Sequence, residues 1–276
     1  MNTKTRKIHT VLWLVLAVAL MLFSIVPVLW FIMVSFQPKE IAQAGGLTFN
    51  FIPSFENYIN VFSKMKYFKF IGNSSIICLI STLVVVTLAS LAAYGFTRKK
   101  TDGTRSMSYW ILSNKMFPPI AIVIPVYLMM SKFRMLDSFY AIILVYVAAN
   151  LPFAVWMLIS FFEDIPISLD EACIVDGCTK VQTLRKIIMP LAGPGILSTG
   201  IFIFVLTWSE FLMALLLTGT NTKTLPVAIA AFVNDRGIEW GSMSAAGTIL
   251  IVPLAVMFYS IQKYLVRGMG FGAVKG

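Results

Sequence analysis

Long apolar runs alternate along the chain with short charged segments. A helix that crosses a bilayer needs roughly 20 consecutive apolar residues. Six stretches reach that length: Val11–Phe36, Asn73–Phe96, Tyr109–Met130, Phe139–Phe162, Gly195–Thr218 and Met243–Leu265. The first holds no charge over 26 residues. A signal peptide has a shorter apolar core of ~7–15 residues, so this run is expected to remain as a first span. A different pattern precedes the second run, where Tyr58, Val61, Phe62, Met65 and Phe68 recur at helical spacing within Gln37–Phe68. That pattern predicts an amphipathic helix lying at the membrane surface.

Composition agrees with a bilayer as solvent. Hydrophobic residues make up 58% of the chain and charged residues 12%, against roughly 45–50% and 25% in soluble domains. The net charge of +10 would suggest nucleic-acid binding in a soluble protein, but here the basic residues sit in the segments between apolar runs. One set of segments carries thirteen Lys and Arg, from Lys4, Arg6 and Lys7 to Lys275, and the opposite set carries eight. Positive charge stays inside, so both termini are expected in the cytoplasm. The expected fold is all-α: a polytopic membrane protein with six transmembrane helices, one membrane domain over residues 1–276. Within it lie a first helix at 11–36, a core of about 69–265 and a cytoplasmic loop at 163–194.

That loop carries most of the functional signal. Ser168-Leu169-Asp170-Glu171 reads as a capping box at the start of a short helix. Gly177 stands where the chain would leave that helix through positive φ. Thr179-Lys180-Val181-Gln182 reads as a second box, opening a helix that runs through Arg185 and Lys186 and stops at Pro190. Cys173 and Cys178, four residues apart, fit neither a zinc ribbon nor a CxxC redox motif. With Cys78 in an apolar run, they are expected to be packing residues.

Glu171-Ala172-Cys173, then Gly177, then nine residues to Ile187-Ile188-Met189-Pro190, resemble the EAA-x3-G-x9-I-x-L-P loop of binding-protein-dependent ABC permeases. Cys173 stands in place of the third alanine and Met189 in place of leucine, and both keep apolar character. Pro53–Tyr58, Asn73-Ser74, Ala92-Ala93-Tyr94, Phe117-Pro118, Leu151-Pro152-Phe153, Trp208-Ser209-Glu210-Phe211 and Gly272–Gly276 extend the resemblance over nearly the whole chain. They are most similar to the smaller permease subunit of maltose-type carbohydrate importers. Ser209 departs from the asparagine common there.

The resemblance implies a type I ABC importer transmembrane domain (MetI-like). It also implies a second homologous permease subunit, two ATP-binding ATPase subunits and an extracytoplasmic solute-binding protein as partners. Glu171, Ala172, Asp176, Gly177 and Pro190 would form the ATPase-coupling element, and Lys275 and Gly276 in the tail would touch the ATPase. The external segment Thr220–Trp240 would reach towards the binding protein.

Besides Lys263 at the edge of the sixth run, two charges fall well inside apolar runs, and such charges are costly enough to suggest a function. Lys115 lies about seven residues into the third run, and Glu210 about fifteen residues into the fifth. At 1.5 Å per residue their depths differ by roughly 12 Å, too far for a direct pair if both helices are straight. Lys115 is expected to snorkel to the inner interface. Glu210 is expected to line a pathway or an interface. Pro118 and Pro119 remove two backbone donors and should break the third span.

Catalytic chemistry is not expected. The only histidine, His9, has no partner nearby, and no G-x4-G-K-[ST] phosphate loop occurs. No cofactor or metal is expected in this chain, and ATP would be used by the partner ATPases. A secondary carrier is the rival reading, but Lys115 and Glu210 are its only ion-coupling candidates.

Overall fold

Backbone polar groups in a bilayer must be satisfied within the segment, so apolar runs fold as helices. The computed structural model describes residues 3–45, 48–64, 67–99, 102–235 and 237–272. Its helices are, in order, α1 (Thr3–Ser35), α2 (Lys39–Ala44), α3 (Glu56–Lys64), α4 (Tyr67–Arg98), α5 (Asp102–Ser113), α6 (Pro119–Lys132), α7 (Phe139–Glu163), α8 (Ser168–Val175), α9 (Lys180–Thr183), α10 (Met189–Leu191), α11 (Gly193–Trp208), α12 (Leu212–Leu217), α13 (Leu225–Ala230) and α14 (Trp240–Gly272). A two-residue antiparallel pair, β1 (Val233–Asn234) and β2 (Gly237–Ile238), is the one departure from helix among the described elements.

Four helices are long and apolar enough to cross a membrane unbroken, within α1, α4, α7 and α14, and two bent pairs bring the number to six. The third span is not straight. Ser106–Met116 and Pro119–Lys132 meet at 88°. Each proline pushes the residue before it out of the helical region, so Phe117 and Pro118 are extended (ψ 131° and 126°). Pro119 then opens α6 at the first helical turn, where a missing N–H is harmless. The fifth span also differs from the expected continuous Gly195–Thr218, because α11 ends at Trp208 and α12 resumes at Leu212.

The described chain divides into two compact units. The first comprises Met1–Tyr67 and Ile229–Val252. In it, α1 exposes residues 9–30 on every face, as a helix apolar all round does when a membrane is its solvent. The end of α1 is packed against α3. Asn57 donates to the carbonyls of Ser35 (3.1 Å) and Gln37 (2.7 Å), Ser35 and Tyr58 share a hydroxyl bond (2.8 Å), and the Phe36 and Tyr58 rings lie 5.2 Å apart. Val61 is fully buried. The amphipathic face expected at the membrane surface is thus turned onto protein. It also ends earlier than expected: Phe68 belongs to α4 and is exposed, and Met65 lies outside the described residues.

The second unit comprises Phe68–Ala228 and Pro253–Gly276. Its core runs along α4, α7 and α11, where Val85, Ala89 and Ala93 meet Ala154, Leu158, Phe162 and Ile203. Alanines at these positions let helix backbones approach closely where no hydrophobic force drives association. A second cluster joins Ile77, Val123, Ile142, Tyr146, Met213 and Leu217.

At one end of this unit a single carboxylate organises a loop. Asp137, itself at φ 55°, accepts from the backbone N–H groups of Gly219 (2.9 Å), Asn221 and Thr222 (2.9 Å) and from the Thr222 hydroxyl (2.8 Å). A Cβ on Gly219 would stand 2.9 Å from the Asp137 carboxyl carbon, so only glycine fits there. Partial burial pushes the Asp137 carboxyl upward, but the bonds from Asn221, Thr222 and Gly219 outweigh it and hold the group below its ordinary value.

A depressed carboxylate stabilises the fold fully above its unfolded pKa of about 3.9, and that stability is lost as pH falls through the lower folded value. Asp137→Ala removes bonds to a charged acceptor worth about 1.5–3 kcal/mol. The amides of Gly219, Asn221 and Thr222 should then exchange with solvent about thirtyfold faster at neutral pH, with the difference shrinking below about pH 4. Hydrogen exchange followed by mass spectrometry checks it.

Candidate coupling site and intramembrane polar contacts

The loop after α7 folds as two short helices. α8 begins without a side-chain cap, contrary to the box expected at Ser168 and Glu171. A backbone turn takes its place: the amides of Leu169, Asp170 and Glu171 donate to the carbonyls of Pro166 and Ile167 at 2.9–3.2 Å. Glu171 is therefore left exposed. Asp170 and Cys173, three residues apart, face inward, while Glu171, Ala172, Ile174 and Val175 face out. Val175 is 86% exposed.

The end of α8 is a Schellman motif. Asp176 is the C-cap, and Gly177 follows at φ 84° with its amide on the Ile174 carbonyl (3.0 Å). The Cys178 amide returns to the Cys173 carbonyl (2.9 Å). The same turn brings the two thiols together, and the Cys178 S–H donates to Cys173, which holds the Cys178 thiol above its ordinary value. A raised thiol is a poor nucleophile and metal ligand.

Thr179 then forms the expected capping box. Its hydroxyl accepts from the Gln182 amide (3.3 Å), and its own amide donates to the Gln182 side chain (2.8 Å). Pro190 does not stop the helix. A π turn over Leu184–Ile188 leads into α10, Pro190 sits exposed within it, and the chain bends by 80° only around Ala192. A widened turn leaves room for a proline ring that an α-turn would clash with.

The inner face of α8 is held by a polar clamp. Arg98, the last residue of α4, places Nε 3.0 Å from the Asp170 carboxylate. Its Nη1 and Nη2 donate to the carbonyls of Phe162 (3.3 Å) and Ile165 (3.2 Å). Tyr94 donates its hydroxyl to the other Asp170 oxygen at 2.8 Å, and its ring centroid lies 5.9 Å from the guanidinium. The Nε contact is ionic rather than a well-aligned hydrogen bond, since neither atom meets hydrogen-bond geometry.

Deeper in the same unit, Lys115 and Glu210 lie at two ends of one polar seam. The Lys115 ammonium donates to the Ala149 carbonyl (3.0 Å) and the Asn150 side chain (3.2 Å), both on α7. Asn150 donates to the Tyr146 carbonyl (3.0 Å) and to Thr207 (3.4 Å). Glu210 accepts from the Tyr146 hydroxyl (2.8 Å) and from the amides of Met213 (2.8 Å) and Ala214 (3.1 Å). Lys115 and Glu210 are not paired directly, and each has its own partners.

A model of the binding-protein-dependent transport system inner membrane component family matches residues 85–271, which include the whole coupling loop, the clamp and the seam. The chain belongs to that family. It is 35% identical over 270 residues to the trehalose/maltose transport system permease protein MalG of Thermococcus litoralis, covering 96% of this chain and 97% of that one. The trehalose transport system permease protein SugB of Mycobacterium tuberculosis is 35% identical over 270 residues, with the same coverage of 96% and 97%. In fold it is similar to a chain of a bacterial ABC transporter that imports the acidic polysaccharide alginate, with a TM-score of 0.79 at 20% identity, over 96% of this chain and 99% of that chain.

The protein is thus an integral membrane permease subunit of an ABC importer. In this permease the residues expected to couple are gathered on one surface: Glu171 and Ala172 on the outer face of α8, with Asp176 and Gly177 at its end. Pro190 lies further on, in the second helix, and Lys275 and Gly276 lie outside the described residues. The sequence reading missed Tyr94, Arg98 and Asp170. A signal existed, because Asp170 shares a helical face with Cys173, an apolar position, and a buried acid there requires a partner.

Proposed function

We propose that this permease moves a carbohydrate or polyol into a bacterial cytoplasm, driven by ATP that partner subunits hydrolyse. The observation that carries the mechanism is the α8 joint, which presents Glu171, Ala172 and a positive-φ Gly177 beside exposed Ile174 and Val175. An outward apolar patch rimmed by an acid is suited to a groove on a partner. The solute class is supported by relatives named for trehalose and maltose.

In this reading two ATPase subunits engage α8, a second permease subunit completes the pathway, and a solute-binding protein delivers cargo on the outer side, towards Thr220–Trp240. The tail residues Lys275 and Gly276 add an ATPase contact. The chain itself performs no catalysis and needs no cofactor. Closure of the ATPases pushes α8, and the bent third and fifth spans supply the breaks about which the helices rock. Lys115 and Glu210 tie the third and fifth spans to α7 through the polar seam.

The deciding experiment is ATPase activity of the assembled complex in proteoliposomes, stimulated by its binding protein, against a panel of sugars and polyols. Stimulation by at least one of them is expected, and none by amino acids. Orientation has its own test, because the reading of both termini as cytoplasmic rests on the thirteen-to-eight distribution of basic residues. Cysteines introduced as Asp102→Cys and Asn221→Cys should react with impermeant thiol reagents from opposite sides, Asp102→Cys from the cytoplasm. Labelling of both from outside would overturn the topology.

A further inference from the structure

We propose that Arg98 and Asp170 are positioning residues for transport: they fix α8 to the end of α4, so that a push on α8 moves the membrane helices instead of α8 alone. The inference rests on the reading of α8 as the ATPase joint. Its basis is the way one guanidinium ties separate segments together. Arg98 ends α4, its Nη atoms take the carbonyls of Phe162 and Ile165, and its Nε takes Asp170 of α8. Phe162 belongs to the last turn of α7, where carbonyls lack helical partners, and a cation is favoured there. Tyr94, one turn before Arg98, holds the second Asp170 oxygen. α8 cannot slide or roll against α4 without breaking several of these contacts together.

Stability alone does not explain the arrangement. The two side chains are 13% and 7% exposed, and a well-packed apolar pair is often as stable as a buried ion pair. What the arrangement adds is direction, because Nη1 and Nη2 donate to fixed carbonyls at the end of α7 and the Tyr94 hydroxyl donates to one Asp170 oxygen, with the Arg98 charge beside the other. With Asp170 fixed inward, Glu171 and Ala172 must face outward on the same helix. The contacts that orient the docking face are therefore the contacts that would transmit its movement.

The test uses the whole complex in proteoliposomes with its binding protein, and reads solute imported per ATP hydrolysed alongside ATPase recovery on co-purification. Asp170→Asn keeps the shape and an acceptor for Tyr94 but discards the charge. Arg98→Lys keeps the charge but cannot reach all three acceptors. Both should retain ATPase recovery within about twofold while solute per ATP falls about tenfold for Asp170→Asn and less for Arg98→Lys. If Asp170→Asn does not accumulate, Tyr94→Phe carries the test, with a smaller fall in the same ratio.

An unchanged ratio in the variants that accumulate would overturn the proposal. So would ATPase recovery falling in step with transport, which marks contacts that merely hold the fold. Failure of the joint reading looks different, since Gly177→Val would then keep both ATPase recovery and transport.

Discussion

Gly177→Val should reach the membrane in normal amounts and transport almost nothing. The glycine sits at φ 84°, in the region L-residues avoid, and its amide closes the Schellman motif at the end of α8. A Cβ there costs roughly 1–2 kcal/mol, and β-branching adds to it. Space is not the obstacle within the chain, because nothing lies within 4 Å of the position where that Cβ would be. Its side chain would project from the surface proposed to receive the ATPase, so the strain and the added bulk act at the same place.

The expected readout is ATPase recovery on co-purification reduced several-fold, with transport lost even in the complexes that form. Gly193→Val is the control. Gly193 also has open space around it but is not at positive φ, and it begins α11 beyond the joint. Its effect should be mild. Wild-type transport with full ATPase retention in Gly177→Val would remove the docking role from this loop.

What could be read in advance follows how local each feature is. The Thr179 box formed because both partners lie within one turn and nothing competes for them. The Ser168 box has the same residue pattern and did not form, since Pro166 and Ile167 lead into the helix through a backbone turn that already satisfies its first amides. Helix positions were legible from apolar length alone; α7 runs over Phe139–Glu163, within one residue of the expected span. Breaks were only half legible. The prolines of the third span announce one, but its 88° angle depends on packing. The gap at Ser209–Phe211 has no proline or glycine to announce it.

The clamp was illegible for a different reason. Tyr94 and Asp170 are 76 positions apart, and Arg98 looked like any basic residue at the cytoplasmic end of a span. Only the pairing of α4 with the loop after α7 brings them together. Lys115 and Glu210 were noticed as isolated charges at unequal depth. The structure resolves that difficulty by giving each separate partners along α7, Asn150 for the lysine and Tyr146 for the glutamate.

Those partners change what should happen when the Glu210 charge is removed. In a pathway role the carboxylate acts on passing solute, and Glu210→Gln would slow transport while leaving the fold intact. The geometry favours a structural role. One oxygen accepts from the Met213 amide, and the other accepts from the Ala214 amide and the Tyr146 hydroxyl. A carboxylate can serve all three because it only accepts, whereas glutamine must turn an NH2 towards one of these donors. Either the Met213 amide or the other two donors then lose their acceptor, and each unsatisfied buried group costs about 1–3 kcal/mol.

Glu210→Gln should therefore lower the thermal midpoint of the purified complex and reduce transport in proportion to the folded complex that remains. Tyr146→Phe removes one of the three donors and should be milder. The double variant should lose less than the sum of the two, because both act on one cluster. Thermal unfolding in detergent and uptake per mole of intact complex separate the two roles. A Glu210→Gln complex with unchanged stability and slowed uptake would place the carboxylate on the pathway instead of at the break between α11 and α12.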